Sequence, residues 1–119
     1  MADETYTLTE LRNRVATFNR ERDWAQFHNP RNLAMAVSVE ASELLELFLW
    51  SADDGPQPPV HTRAPKVAHE MADVAICLLS LADRMDIDLA AAIIEKLELN
   101  AQKYPVEKAK GRMEKSDEL

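Results

Sequence analysis

Glu40 with Glu43, and Glu70 with Asp73, form two acidic pairs of identical spacing set in otherwise apolar stretches. The first pair lies in "VSVEASELLELFLW" (37–50) and the second in "KVAHEMADVAICLLSLADRM" (66–85). On an α-helix, residues three apart are neighbours on one face. At about 100° per residue, Leu33, Ala36, Val37, Leu44 and Leu47 fall within about 60° of Glu40, which places it mid-arc on an apolar face with Glu43 beside it. No Lys or Arg occurs from Asn32 to Thr62, nor from Val67 to Asp83. Burying an unpaired carboxylate costs several kcal/mol, and neighbouring carboxylates raise one another's pKa. A divalent cation relieves both penalties. Oxygen donors without His or Cys favour a hard ion, Mg²⁺ or Mn²⁺ in its place, and Mg²⁺ commonly takes substrate phosphates as further ligands. Two competing arrangements exist: a solvated acidic groove, or pairing with basic residues of another subunit. A ferritin-like di-iron centre would need Glu-x-x-His on two helices. His28, His61 and His69 instead follow Ala25, Pro58 and Lys66 at that spacing. A carboxylate not fully engaged by metal could orient or deprotonate an attacking water, and Glu43 or Glu46 could serve, although Glu46 is more often a solvated helix residue.

Positioning such acids calls for helices, and the chain supplies them. It has only two glycines and little strand-like alternation, so an all-α fold is expected, a four-helix bundle-like protomer. Thr7 or Thr9 in "TLTE" caps a first helix that runs to about Asp23 with a stripe of Leu8, Leu11, Val15 and Phe18. "WAQFHNP" is a structured connection. Asn29 and Pro30 then act as N-cap and first residue of a second helix ending near Ser51. A loop follows, with four prolines between Pro56 and Pro65. The third helix runs from about Pro65 to Met85. Its seam of Val67, Met71, Val74, Leu78, Leu81 and Met85 is expected to be buried, partly against a second subunit. Asp88 caps a fourth helix, Leu89 to about Tyr104, and Pro105 ends it. Residues 1–106 read as one domain, and 107–119 as a charged, loose tail.

Bulk properties narrow the partners. A formal charge of −7 over 119 residues disfavours nucleic acid and anionic membrane surfaces. The lone Cys77 permits no disulfide within the chain and fits a reducing compartment. The acidic N-terminus lacks signal-peptide features, and no apolar run approaches the roughly 20 residues of a membrane span. A cytoplasmic protein is expected. Chains this short bury only about two thirds of their unfolded surface, so help from a partner subunit is natural.

Taken together, E-x-x-E at Glu40 and Glu43, a Pro-rich spacer and E-x-x-D at Glu70 and Asp73 resemble the all-α nucleoside triphosphate pyrophosphatase superfamily of MazG and dimeric dUTPase type. "ERDWAQFHNPRNL" (21–33), "ELFLW" (46–50) and "NAQKYP" (100–105) are similar to its dCTP pyrophosphatase branch. The resemblance runs from about Leu8 to Pro105. It implies a helical homo-oligomer, dimer or tetramer, with active sites at subunit interfaces. It further implies Mg²⁺-dependent hydrolysis of a nucleoside triphosphate to the monophosphate and pyrophosphate, with dCTP or a modified dCTP as the expected substrate. By the same resemblance Glu40, Glu43, Glu70 and Asp73 match the metal ligands, and Trp24 and Trp50 the base pocket. Asn100 and Tyr104 match nucleotide contacts, and Lys103 a basic position near phosphate. His28 is a candidate phosphate contact, or else a loop residue that fixes the "FHNP" turn. Cys77 stands where animal dCTP pyrophosphatases carry tyrosine, which bears on base or sugar preference. Val39 precedes Glu40, where MazG proteins often double the glutamate. The alternatives are a non-catalytic helical oligomerisation module, or an enzyme preferring dUTP or a broad set of triphosphates. The module predicts incomplete or salt-bridged acids; all four are present and lack nearby bases.

Overall fold

The computed structural model describes residues 1–49 and 64–119. Six helices occur among them: α1 (Ala2–Thr5), α2 (Leu8–Glu21), α3 (Pro30–Glu46), α4 (Ala64–Met85), α5 (Leu89–Lys103) and α6 (Val106–Ala109). A short 3₁₀ turn follows at Ser116–Glu118. No strand appears among the described residues, in keeping with the all-α expectation.

Local chemistry sets the helix boundaries. Thr7, rather than Thr9, caps α2, its hydroxyl accepting from the Glu10 amide at 3.1 Å. Asn29 caps α3 through a 2.8 Å bond from the Asn32 amide, with Pro30 as its first residue. Asp88 caps α5, accepting from the Ala91 amide at 3.0 Å.

Helix α2 ends two residues short of Asp23, and the reason is a Schellman turn. Asp23 adopts φ 55°, its amide donates to the Arg20 carbonyl at 3.0 Å, and the Trp24 amide donates to the Asn19 carbonyl at 3.0 Å. The Trp24 ring packs edge-on against Phe18, supplying the apolar contact that accompanies such turns. Helix α4 ends the same way. Asp86 has φ 54°, and the Ile87 amide donates to the Ala82 carbonyl at 2.8 Å. Beyond Glu46, α3 loosens into a turn through Leu49. The expected end near Ser51, the proline-rich loop and Trp50 lie outside the described residues.

The chain divides into two compact units, Met1–Ile87 and Asp88–Leu119. In the first, α4 is the central element, packed against α3 and α2. Glu40 and Glu43 of α3 meet Glu70 of α4, while Leu33 lies with Ser80 and Asp83, so the two helices are antiparallel. Arg12 donates to the Ile87 carbonyl and Asn19 to Ser80, so α2 also runs against α4. Leu33, Leu79 and Ala82 form the small buried core of this unit. The seam expected to bury α4 is only partly covered: Met71 is 57% exposed and Met85 52%. The second unit comprises α5, α6 and the 3₁₀ turn, so the tail carries two short helical segments. No described helix is long and apolar enough to cross a membrane.

Candidate active site

Antiparallel packing of α3 on α4 brings the two acidic pairs together. Glu40, Glu43 and Glu70 each offer a carboxylate oxygen, and the three oxygens lie within 4.8 Å of one another. Glu40 and Glu70 are half-buried, and the Oε2 of each is shielded from solvent with no hydrogen-bond partner. Orphaned buried oxygens of this kind are rare in folded proteins, and they suit a ligand carrying positive charge. Among the described residues no Lys, Arg or His forms an ion pair with the cluster; the salt bridges present are at Met1–Glu4 and Arg112–Glu114.

Electrostatics follow from this geometry. Burial pushes the Glu40 carboxyl above its ordinary value, and contact with Glu43 and the charges of Asp73 and Glu70 push it further. Glu70 is raised first by burial, then by the charges of Glu43 and Asp73. Glu43 is exposed, and its carboxylate converges with that of Glu40 on its own helix and that of Glu70 on α4. Asp73 lies outside the three-oxygen convergence but close enough for its charge to act on Glu40 and Glu70. Glu46, read from the sequence as a solvated helix residue, also acts on Glu70 through its charge. Its spacing of three from Glu43 was the available signal. The Cys77 thiol, one turn beyond Asp73 on α4, is raised by burial and by the charges of Glu40 and Asp73. An all-oxygen donor set converging from two helices, with two oxygens lacking partners, fits Mg²⁺ or Mn²⁺ better than a softer metal.

The remaining candidates separate into two groups. Trp24 and His28 occupy the α2–α3 connection, their rings edge-on at 6.1 Å. Trp24 is 40% exposed, leaving ring surface free to meet a ligand. Asn32 donates to the Phe27 carbonyl at 2.9 Å and helps fix this connection. Asn100 and Lys103 lie in the last turn of α5, and Tyr104 closes that helix by donating its amide to the Asn100 carbonyl. Asn100 is half-buried, whereas Lys103 and Tyr104 are exposed. These three belong to the second unit, and Trp50 lies outside the described residues.

Known proteins share both the sequence and the fold. The chain is 44% identical over 107 residues to dCTP pyrophosphatase 1 of Mus musculus, covering 88% of this chain and 63% of that protein. Against dCTP pyrophosphatase 1 of Homo sapiens it is 41% identical over 115 residues, covering 95% of this chain and 68% of that protein. The chain thus spans a little under two thirds of the length of the mouse relative. The crystal structure of a pyrophosphatase from Archaeoglobus fulgidus superposes with a TM-score of 0.76 at 38% identity, covering 84% of this chain and 94% of that one. The sequence profile of the MazG-like family matches residues 35–119, a span that takes in all four acids of the α3–α4 pairs. This protein therefore belongs to the MazG-like family, as the resemblance read from its acidic motifs implied.

Proposed function

We propose that this protein hydrolyses a (deoxy)nucleoside triphosphate, dCTP or a modified dCTP, to the monophosphate and pyrophosphate, using Mg²⁺ held by Glu40, Glu43, Glu70 and Asp73. The observation that carries the reading is the convergence of three carboxylates from two helices, with an unpartnered buried oxygen on Glu40 and on Glu70. Two relatives named dCTP pyrophosphatase and a solved pyrophosphatase of the same fold support the reaction class.

Divalent ions at this position supply Lewis-acid neutralisation of the triphosphate and of the charge that develops on hydrolysis. The protein's own side chains divide the remaining work. Glu40 and Glu70 anchor from the two helices, and Glu43 converges with both. Glu46 is near enough to sense Glu70 yet outside the convergence, which leaves its carboxylate free to orient or deprotonate the water attacking the α-phosphorus. As the family resemblance implies, the base-pocket role falls to Trp24 and Trp50 and nucleotide contacts to Asn100, Lys103 and Tyr104, while His28 is a candidate phosphate contact. Cys77 is near enough to feel the charges of Glu40 and Asp73, and a thiol here, where the animal dCTP pyrophosphatases carry tyrosine, tunes base or sugar preference.

The active form is a homo-oligomer, a dimer or a dimer of dimers, working in the cytoplasm. The half-open seam of α4 supports an oligomer, since large apolar side chains such as Met71 and Met85 remain solvent-facing in one chain.

The test is a panel of ribo- and deoxyribonucleoside triphosphates assayed with Mg²⁺ and with EDTA. Monophosphate and pyrophosphate released only with metal, fastest from a cytosine deoxynucleotide, is the expected result. Release of orthophosphate with a diphosphate left behind would place the cleavage elsewhere and overturn the reading.

A further inference from the structure

We propose that Asn19 and Ser80 are positioning residues that hold Trp24 in the orientation in which it meets the base. This rests on the reading of Trp24 as a base-pocket residue. Ser80 is 7% exposed and is the one buried polar residue among those described. Its Oγ accepts a 3.2 Å hydrogen bond from the Asn19 side-chain amide, joining α4 to the last turn of α2. The same Asn19 closes that helix, because its carbonyl accepts from the Arg22 amide at 3.3 Å and the Trp24 amide at 3.0 Å. One residue therefore fixes α2 on α4 with its side chain and the departure of Trp24 with its backbone.

From this anchor the geometry propagates through the connection. Asp23 turns the chain through the left-handed region. Trp24 then rests edge-on against Phe18 at 5.7 Å, and the His28 ring stands edge-on to it at 6.1 Å. Packing alone does not call for a hydroxyl at position 80; Ala82, equally buried on the same helix, shows what suffices. Nor is the pair crowded. A cavity of about 220 Å³, bordered by Asn19, His28, Leu33 and Ser80, opens beside it. A threonine at position 80 keeps the hydroxyl and adds a single methyl.

The experiment compares Ser80→Ala, Asn19→Ala and Ser80→Thr with the parent enzyme. Melting temperature, KM, kcat and Trp24 fluorescence are measured, the last in a Trp50→Phe background where Trp24 is the sole tryptophan. Ser80→Ala and Asn19→Ala are expected to raise KM about five- to tenfold with kcat nearly unchanged, the signature of lost uniform binding, and to shift Trp24 emission. Ser80→Thr retains the acceptor and is expected to restore both. A lowered melting temperature with parental KM and parental emission would show a purely structural pair and overturn the proposal. Trp24→Ala is run alongside. Parental KM in Ser80→Ala beside raised KM in Trp24→Ala overturns the positioning role alone. Parental KM in Trp24→Ala removes the base-wall reading of Trp24 and the proposal with it.

Discussion

Single side chains in the cluster carry opposite consequences for stability and for activity. Glu40 and Glu70 are each raised above the ordinary carboxyl value by burial and by like charge, so the folded metal-free chain bears an electrostatic penalty there. Glu40→Gln or Glu70→Gln removes that repulsion while deleting a metal ligand. Both variants are predicted to melt at a higher temperature than the parent in EDTA, yet to lose roughly a hundredfold or more in turnover with Mg²⁺. Calorimetry beside pyrophosphate release checks both halves. Glu46→Gln separates a different role: turnover should fall about a hundredfold while Mn²⁺ affinity stays within about twofold of the parent. Equal loss of metal affinity would make Glu46 a ligand instead. The convergence of Glu40, Glu43 and Glu70 was foreshadowed in the sequence, because i,i+3 spacing on two helices with no base in register marks one acidic face on each. Ser80 and Asn19 were not, since a lone hydroxyl 61 positions from its amide partner has no local signature.

Helices and their ends were legible where short-range chemistry decides them, as at Asn29 and Asp88, whose caps form as expected. Their C-terminal ends were less so. Asp23 and Asp86 both occupy left-handed conformations that glycine adopts freely and aspartate tolerates at a cost. Asp86→Gly is therefore predicted to stabilise the fold by about 0.5–1 kcal/mol. Asp23→Gly should be nearly neutral, because it also loses the 3.1 Å bond that the Gln26 amide donates to the Asp23 carboxylate. Urea unfolding of the two variants distinguishes them; equal gains would mean the Gln26 bond contributes nothing. Helix α1 was missed altogether, as four residues give no periodicity to read. The antiparallel docking of α3 on α4 was likewise absent from local pattern. Only the match between two acidic spacings hinted that the helices must face each other.

For the whole molecule, titration and metal binding should be linked. A carboxyl whose folded pKa lies above its unfolded value makes the native state bind more protons in the window just above pH 4.5. Metal-free stability from this source therefore falls as pH rises through that window. Mg²⁺ requires the deprotonated form, so the gain in melting temperature on adding Mg²⁺ should grow with pH across the same range. A metal-induced shift that shrinks with rising pH would contradict this linkage. Apolar seams such as that of α4 were legible as patterns, but which surface covers them is a property of the assembly and has no signal within one chain. Sedimentation at micromolar concentration is predicted to show an oligomer that Leu78→Glu disrupts; a parent chain already monomeric would refute that interface. The central claim is that the α3–α4 acids exist to hold divalent cations. Its most direct test is titration of Mn²⁺ into the protein, followed by electron paramagnetic resonance, for the parent and for Glu40→Gln/Glu70→Gln. The parent should bind Mn²⁺ in competition with Mg²⁺ and the double variant should lose at least about tenfold in affinity; undiminished binding by the double variant, or none by the parent, would contradict the account.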